Sequence, residues 1–429
     1  MMVHRNTYEK YKDSGVEWIG RIPDDWTMIN LRYLCDIDTG SRDTQDTVED
    51  GLYPFFVRSQ TLERLDHYTH DEEAVMTAGD GVGVGKVFHY FRGKFSAHQR
   101  VYIFSKFRLC RGRFIFYYLK SNLAYEVLKS NAKSTVDSLR RPMLTNFPVS
   151  VPPIQHQDEI IKFLDQSIVD IDSIISDKER LIVMLENQRQ GVITESLTRG
   201  LNPLVKMKES GLEWIAEVPE HWQVLKIKHV VAQIEYGISE SSKGVGEYKL
   251  LTMGNIHDGE IQIPVDGSLN ELDERYLLNA NDLLFNRTNS LDQIAKVGIF
   301  RGSIEDKVTF ASYLVRLKVN EKADSEFLNL LLNCHPFLSY ARSFAIPSVS
   351  QANLNANRYT NLKIILPPVD EQRAIRDRIV ERSQHISDAI DEINQQIHKL
   401  KEYRMSLIFE AVTGKIDVRY VTVEATMMA

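Results

Sequence analysis

Two stretches of this sequence hold the side chains best suited to hydrogen-bond the planar edges of nucleic-acid bases. The first carries Arg58, Ser59, Gln60, Lys86, His98, Arg100, Arg140 and Arg141. The second carries Arg287, Thr288, Asn289, Lys296, Ser350, Gln351, Asn353 and Arg358. Arginine offers parallel N–H donors that match guanine O6 and N7, and asparagine or glutamine offers a donor and an acceptor that match adenine in the major groove. The same residue types also serve as phosphate contacts, which typically outnumber base contacts, or as plain surface residues. All of these positions are candidate DNA contacts on residue type alone.

Catalytic chemistry finds less support. The run G-D-G-V-G-V-G-K (79–86) invites a phosphate-loop reading, but that loop needs Gly where Asp80 stands and Ser or Thr where Val87 stands. A dinucleotide loop needs a following helix, and V-F-H-Y-F-R-G-K-F follows instead. The run is expected to be a glycine-rich turn, with a glycine-free counterpart at 287–296. The Pro-Pro pairs at 152–153 and 367–368 lack the flanking Asn/Asp and Tyr/Phe of an adenine methyltransferase motif. Glu305-Asp306-Lys307 matches the tail of a carboxylate–lysine nuclease site, without the upstream Pro-Asp. Cys35, Cys110 and Cys334 are isolated, which speaks against a disulfide framework and a zinc site and fits a reducing compartment. No metal site and no catalytic residue are expected.

The elements that must position these residues show up as internal repetition. Residues 10–26, KYKDSGVEWIGRIPDDW, recur at 206–222 as KMKESGLEWIAEVPEHW, with nine of 17 positions identical. The pairs Trp18/Trp214 and Trp26/Trp222 use all four tryptophans of the chain, so framework packing is expected of them rather than base stacking. A second pair begins at Pro152-Pro153 and Pro367-Pro368. It closes with Glu195, Thr198 and Gly200 against Glu410, Thr413 and Gly414. The intervening segments, 27–151 and 223–366, share little sequence. The framework is duplicated and the inserts have diverged.

After each Pro-Pro pair, apolar residues recur by threes and fours, the spacing of a paired helix. Helix-pairing candidates are Ile161, Ile168, Ile171, Ile175, Ile182 and Leu185 in the first tract. In the second they are Ile379, Ile386, Ile390, Ile393, Ile397 and Leu400. Proline is expected at the first helical position and glycine just past the end. Residues 155–198 as one helix would extend about 66 Å. Each stripe suits a single partner helix, and the other copy, packed antiparallel, is the simplest partner. Lys178 and Arg404 fall at inner heptad positions, where buried polar groups fix register.

The inserts read as mixed α/β. The first has a strand at 101–107, a helix at 114–128, a polar loop and a strand at 146–151. The second has a strand at 312–319, a helix at 327–340, a polar stretch and a strand at 361–366. The order of elements matches although the residues do not, so both inserts are expected to be versions of one domain.

Charge adds a weaker signal. The net charge of -7 is unfavourable for binding DNA, yet residues 86–141 hold 13 Lys/Arg against two acids. The second insert, 223–366, has 15 basic and 16 acidic residues and no such block. No apolar run approaches the ~20 residues that span a bilayer, and the N-terminus lacks a signal-peptide core, so a cytoplasmic, membrane-free protein is expected.

This layout resembles the specificity subunits of Type I restriction-modification systems. The resemblance rests on G-V-E-W-I-G-R-I-P-D-D-W (15–26) and its copy (211–222), G-D-G-V-G-V-G-K (79–86), N-D-L-L-F-N-R-T-N-S (281–290) and N-L-K-I-I-L-P-P-V-D-E-Q (361–372). It covers about 8 to 418. The resemblance implies an α/β (mixed α+β) fold of two similar target-recognition domains separated by two long antiparallel coiled-coil helices, related by an internal pseudo-two-fold repeat. The first recognition domain would be 1–151, with a conserved segment at 8–26, followed by a central conserved helix at 152–200. The second would be 201–366, with the repeated segment 206–222. A C-terminal conserved helix at 367–418 and a tail at 419–429 would complete the chain.

The resemblance further implies binding to a bipartite, asymmetric double-stranded DNA target, two modification (methyltransferase) subunits as partners, and restriction (translocase-nuclease) subunits beyond them. S-adenosylmethionine, ATP and magnesium belong on those partners, and no cofactor on this chain. One departure is Gln155-His156-Gln157, where the family carries an acidic-Glu-Gln triplet such as Asp370-Glu371-Gln372. That change is expected to alter helix capping or a partner contact, not base reading. Two rival readings stay open here: a coiled-coil adaptor with two protein-binding domains, and part of a single-chain methyltransferase-nuclease.

Overall fold

The computed structural model of the chain describes residues 7–130, 138–239, 245–348 and 351–419. The chain forms two compact units, Met1–Glu179 with Ile393–Ala429, and Arg180–Glu392. Both are mixed α/β. The longer helices are α1 (Gly112–Ser130), α2 (Ile154–Arg199), α3 (Ser325–Asn333), α4 (His335–Ser343) and α5 (Val369–Val412). Among the described residues no helix is long and apolar enough to cross a membrane.

In the first unit, six strands make one sheet: β1 (Asp36–Thr39), β2 (Tyr53–Phe56), β3 (Leu62–Leu65), β4 (His70–Ala78), β5 (Phe88–Ala97) and β6 (Val101–Ser105). Their spatial order is β1-β6-β4-β5-β2-β3, antiparallel except for β2 beside β5. The end of β5 curls back to the segment leaving β1, where Ser41 N–H donates to the Ala97 carbonyl at 3.2 Å. Gly40 permits this, because a Cβ there would stand 2.1 Å from the Ala97 oxygen. Phe114, Ile115, Tyr118 and Leu119 of α1 are fully buried.

The hairpin at 11–23 and the turn after α5 meet in this unit. The N-terminal hairpin pairs Tyr11–Asp13 with Arg21–Pro23, and Lys415 Nζ donates to the carbonyls of Ile19 and Arg21 at 2.6 and 2.5 Å. Gly414, with φ +71°, lies where a Cβ would strike the Pro23 ring at 2.3 Å. A left-handed glycine just past a helix end is the expected terminator.

In the second unit, a sheet runs in the order β7 (Val231–Tyr236), β12 (Leu314–Val319), β9 (Leu283–Asn286), β10 (Val297–Ile299), then Glu260–Ile261 and Ile256–His257. The labels β8 (Lys249–Leu251) and β11 (Val308–Phe310) denote a separate parallel pair. Gly237 repeats the close approach of Gly40, since a Cβ there would lie 2.3 Å from the Phe310 and Ala311 oxygens. The helix expected over 327–340 is two helices. Pro336 lacks an N–H and its ring excludes the preceding turn, so Cys334 turns extended (φ -63°, ψ 142°) between α3 and α4.

The same framework bonds occur in each unit. Gln157 is fully buried; its Oε1 accepts from Arg111 N–H, and its Nε2 donates to the Pro152 and Leu109 carbonyls. Gln372, also fully buried, accepts from Asp324 N–H and donates to the Pro367 and Lys322 carbonyls. Leu31 N–H bonds the Phe147 carbonyl at 2.9 Å, as Ile227 N–H bonds that of Leu362 at 3.0 Å. Trp26 and Trp222 are buried, Trp18 stacks on Tyr125, and Trp214 meets Phe337 edge-on. All four tryptophans pack within their own units.

Pro153 and Pro368 precede the long helices as caps: Gln157 N–H donates to the Pro153 carbonyl at 3.0 Å and Gln372 N–H to that of Pro368 at 2.9 Å. Of the helix-pairing candidates, Ile171, Ile175, Ile379, Ile393 and Ile397 are buried, and Ile161, Ile168, Ile182, Leu185, Ile386, Ile390 and Leu400 are half-buried. Ile379 belongs to the α/β core of the second unit together with Leu197 and Ile375, because the first turns of α5 are covered by their own domain. Within the first unit, Lys178 Nζ donates to Gln396 Oε1 at 2.6 Å and Arg404 pairs with Asp172.

Candidate nucleic-acid interface

In the first unit Arg58, His98 and Arg100 come together where the exits of β2, β4 and β5 meet, joined by Leu139 ahead of the short helix Arg141–Thr145. Gly79 N–H donates to the Arg100 carbonyl at 2.8 Å, and Leu139 N–H donates to the Gly79 carbonyl at 2.8 Å. Gly83 packs so tightly on the Arg58 carbonyl that a Cβ there would be 2.4 Å from its oxygen. The glycines of 79–86 therefore have a packing purpose. They let the loop lie against both Arg58 and Arg100, and the strand β5 that follows removes the phosphate-loop geometry.

The result is a carboxylate held between two guanidinium groups. Arg58 Nη1 donates to Asp80 Oδ1 at 2.8 Å and Arg100 Nη1 donates to Asp80 Oδ2 at 3.0 Å. Burial pushes the Asp80 carboxyl up, but the Arg58 and Arg100 charges outweigh it and hold it below the ordinary aspartate range. The side chains of Arg58, Arg100 and Asp80 remain 43%, 57% and 29% exposed, so the cluster faces solvent.

His98 requires a correction. It is buried, its Nδ1 accepts from Arg100 N–H at 3.0 Å, and burial pushes its imidazole below the usual histidine range. It shapes the Arg100 backbone and does not present an edge to a ligand. Beside it, Gln99 Nε2 donates to Asp43 Oδ2 at 2.8 Å. Ser59, Gln60, Lys86 and Arg140 are exposed. Arg141 is exposed as well, with Nη2 donating to the Ile37 carbonyl at 2.7 Å. Asp80 and Asp43 escape a search for donors because they are acids; the legible signal was an acid set between the glycines of 79–85.

In the second unit the matching bonds carry different side chains. Arg287 N–H donates to the Tyr313 carbonyl at 3.0 Å and Leu354 N–H to the Arg287 carbonyl at 2.8 Å, as Gly79 and Leu139 do in the first unit. Thr288 then occupies the place of Asp80, and its Oγ1 accepts from Asn353 Nδ2 at 2.9 Å. Arg287 is turned inward, over the Tyr236 ring and toward the Ser312 carbonyl, with a buried Nε, so it supports the loop rather than projecting from it. Asn289 is half-buried and donates to the Met253 carbonyl at 3.4 Å; Lys296 is half-buried and Gln351 exposed. Ser350 lies outside the described residues.

A polar depression of about 500 Å³ is lined by Ile346, Asn353, Asn355, Asn357, Arg358 and Asn361. Arg358 Nη1 donates to the Phe344 carbonyl at 3.0 Å. The structure thus joins Asn353 and Arg358, two of the candidates, with three further asparagines. For Asn355 and Asn357 the signal was the alternation N-L-N-A-N at 353–357.

Part of the basic block of 86–141 is paired with acids from elsewhere in the chain. Arg111 pairs with Asp158, Arg113 with Asp165, Lys106 and Arg108 with Asp36, and Arg100 with Asp80. Five of the 13 basic residues of the block are thereby paired with four acids from outside it.

The family described as Type I restriction modification DNA specificity domain matches residues 23–181 and 219–401. The Type I restriction enzyme MjaVIII specificity subunit of Methanocaldococcus jannaschii is 26% identical over 419 residues, covering 93% of this chain and 95% of its own. The EcoDI specificity subunit of Escherichia coli is 21% identical over 429 residues, covering 94% and 91%. Among solved structures, a chain from work on complex assembly and conformational transition of the type I R-M system aligns with a TM-score of 0.66 at 13% identity, covering 91% of this chain and 98% of that one. The HsdS subunit from Thermoanaerobacter tengcongensis aligns with a TM-score of 0.53 at 14% identity, covering 92% and 98%. At such identities the structures speak for the fold alone.

Proposed function

The chain belongs to the Type I restriction modification DNA specificity family, and from that premise we propose that it reads a bipartite, asymmetric double-stranded DNA target, one half through each unit. The observation that carries this reading is a repeated set of framework bonds supporting unlike loops. Gln157 and Gln372 make the same three bonds, while Asp80 and Thr288 occupy the same backbone position with different chemistry. A scaffold held constant under two divergent surfaces suits recognition of two different half-sites.

In this reading the chain has no catalytic centre. Two modification subunits supply methyl transfer with S-adenosylmethionine, and restriction subunits supply ATP- and magnesium-dependent cleavage. The absence from the sequence of the methyltransferase and phosphate-loop signatures supports that division of labour. The long helices pair antiparallel as a coiled coil, relating the recognition domains by a pseudo-two-fold repeat. The Lys178–Gln396 and Asp172–Arg404 contacts support the antiparallel sense, since the number on one helix falls as that on its partner rises.

The test is co-expression with a modification subunit, followed by single-molecule sequencing of host DNA for methyladenine. One gapped, asymmetric motif that disappears when this gene is deleted is the expected result. Exchanging residues 223–366 for those of a relative should then change only one half of the motif. Methylation that persists unchanged without this chain rules the reading out and brings forward the adaptor with two protein-binding domains.

A further inference from the structure

We infer that the Arg58–Asp80–Arg100 cluster reads a G·C base pair in the half-site of the first unit; this rests on the target-reading role proposed above. In the major groove a G·C pair presents two adjacent acceptors, guanine N7 and O6, followed by the cytosine N4 donor. The complementary protein surface is a pair of donors beside an acceptor. The cluster offers that pattern. Each guanidinium carries five N–H donors and holds the carboxylate through Nη1. Asp80 is the acceptor, partly exposed between them.

Three observations favour base reading over phosphate contact. First, a carboxylate at the centre of a surface made for phosphate would repel it, whereas beside a cytosine amino group it accepts a hydrogen bond. Second, the cluster is preorganised. Gly83 against the Arg58 carbonyl and Gly79 against the Arg100 carbonyl fix the loop that carries Asp80, so little side-chain freedom remains to be lost on binding. Third, the arrangement is private to this unit. At the equivalent places the second unit has Thr288, bonded by the Asn353 amide, and Tyr313. A feature needed only for backbone binding would serve both units alike. Asp80 acts here both as acceptor and as the positioning group that aims the two arginines.

The experiment uses the complex with its modification subunits and oligonucleotide duplexes carrying the methylated motif. The exchange of 223–366 first identifies which half belongs to the first unit. Each pair in that half is then replaced in turn, and the methylation rate at limiting DNA is compared for wild type, Arg58→Lys, Arg100→Lys, Asp80→Asn and Asp80→Glu. The expected result is loss of at least tenfold in discrimination at one G·C position for the lysine and asparagine variants, about 1.4 kcal/mol. Discrimination in the other half stays unchanged, which also shows that each variant is folded, and Asp80→Glu partly restores the lost selectivity. A first half without any G·C pair overturns the inference at once. So does a uniform fall in rate on all duplexes with selectivity intact, the signature of a phosphate contact. If the wild-type complex methylates no gapped motif, the target-reading role fails instead, which separates the two outcomes.

Discussion

His156 faces Asp25, with Nδ1 3.5 Å from the carboxylate, and this pair is the mirror of His221 and Glu371 in the second unit. Position 25 matches 221 in the repeated hairpin, and 156 matches 371 at the helix start, so acid and imidazole have traded places. The departure Gln155-His156-Gln157 from the acidic-Glu-Gln pattern is therefore compensated across the contact. It is compensated incompletely. Trp222 Nε1 donates to Glu371 at 3.1 Å, whereas the buried Trp26 Nε1 has no acceptor among the described residues.

Restoring the other arrangement should supply that acceptor. The double variant Asp25→His/His156→Glu is expected to be more stable than wild type by about 1.5–3 kcal/mol, the worth of a hydrogen bond to a charged group. His156→Glu alone sets two carboxylates face to face and should gain nothing. Urea unfolding monitored by tryptophan fluorescence reads both; a double variant no better than the single one rejects the account.

Gln157 and Gln372 each satisfy one buried N–H and two carbonyls. Replacing either with Leu strands those groups without water, at a cost of roughly 2–4 kcal/mol. Differential scanning calorimetry on the two single variants should show the loss in each case. A change below about 1 kcal/mol would mean that solvent reaches the site.

Lys178 and Arg404 occupy inner helix positions and bond Gln396 and Asp172. Leu at both places should raise thermal stability, since a polar residue at an inner heptad position costs stability, while loosening the alignment of α2 on α5 within the first unit. Spin-label distances between the helices, narrow in wild type, should broaden. Unchanged stability together with an unchanged distance distribution eliminates the register role.

The docking of the C-terminal segment should depend on pH. Burial pushes the Asp417 carboxyl up, but hydrogen bonds from the Arg419 side chain and N–H more than offset it and leave the group below its ordinary value. A carboxyl lowered in the folded state stabilises fully above its unfolded pKa and loses that contribution as pH falls through the folded value. Acid unfolding of the wild type should therefore steepen below the ordinary aspartate range, and Asp417→Asn should flatten that limb. Parallel curves for the two proteins would show that Asp417 is not linked to folding.

Much of this molecule is legible along the chain because its signals are local. Helix periodicity, terminating glycines and the repeated tryptophan hairpins are short-range patterns, and α2, α5, Gly200 and Gly414 lie where those patterns put them. Where a local breaker competed with periodicity, at Pro336, the pattern misled and one expected helix is two. The family resemblance was also readable, because the repeated segments are contiguous. What only the tertiary structure decided is which distant charges meet. Asp80 stands 22 residues from Arg58 and 20 from Arg100, and nothing in their spacing predicts that one carboxylate will hold both. Within the basic run at 86–141, Arg108, Arg111 and Arg113 are met by Asp36, Asp158 and Asp165 from other segments, partners that the charge count along the chain does not reveal. The first unit itself is closed by the turn after α5, through Lys415 on Ile19 and Arg21. Hydrophobic periodicity is set by neighbours three and four residues apart. Electrostatic pairing is set by neighbours in space, and those exist only once the chain has folded.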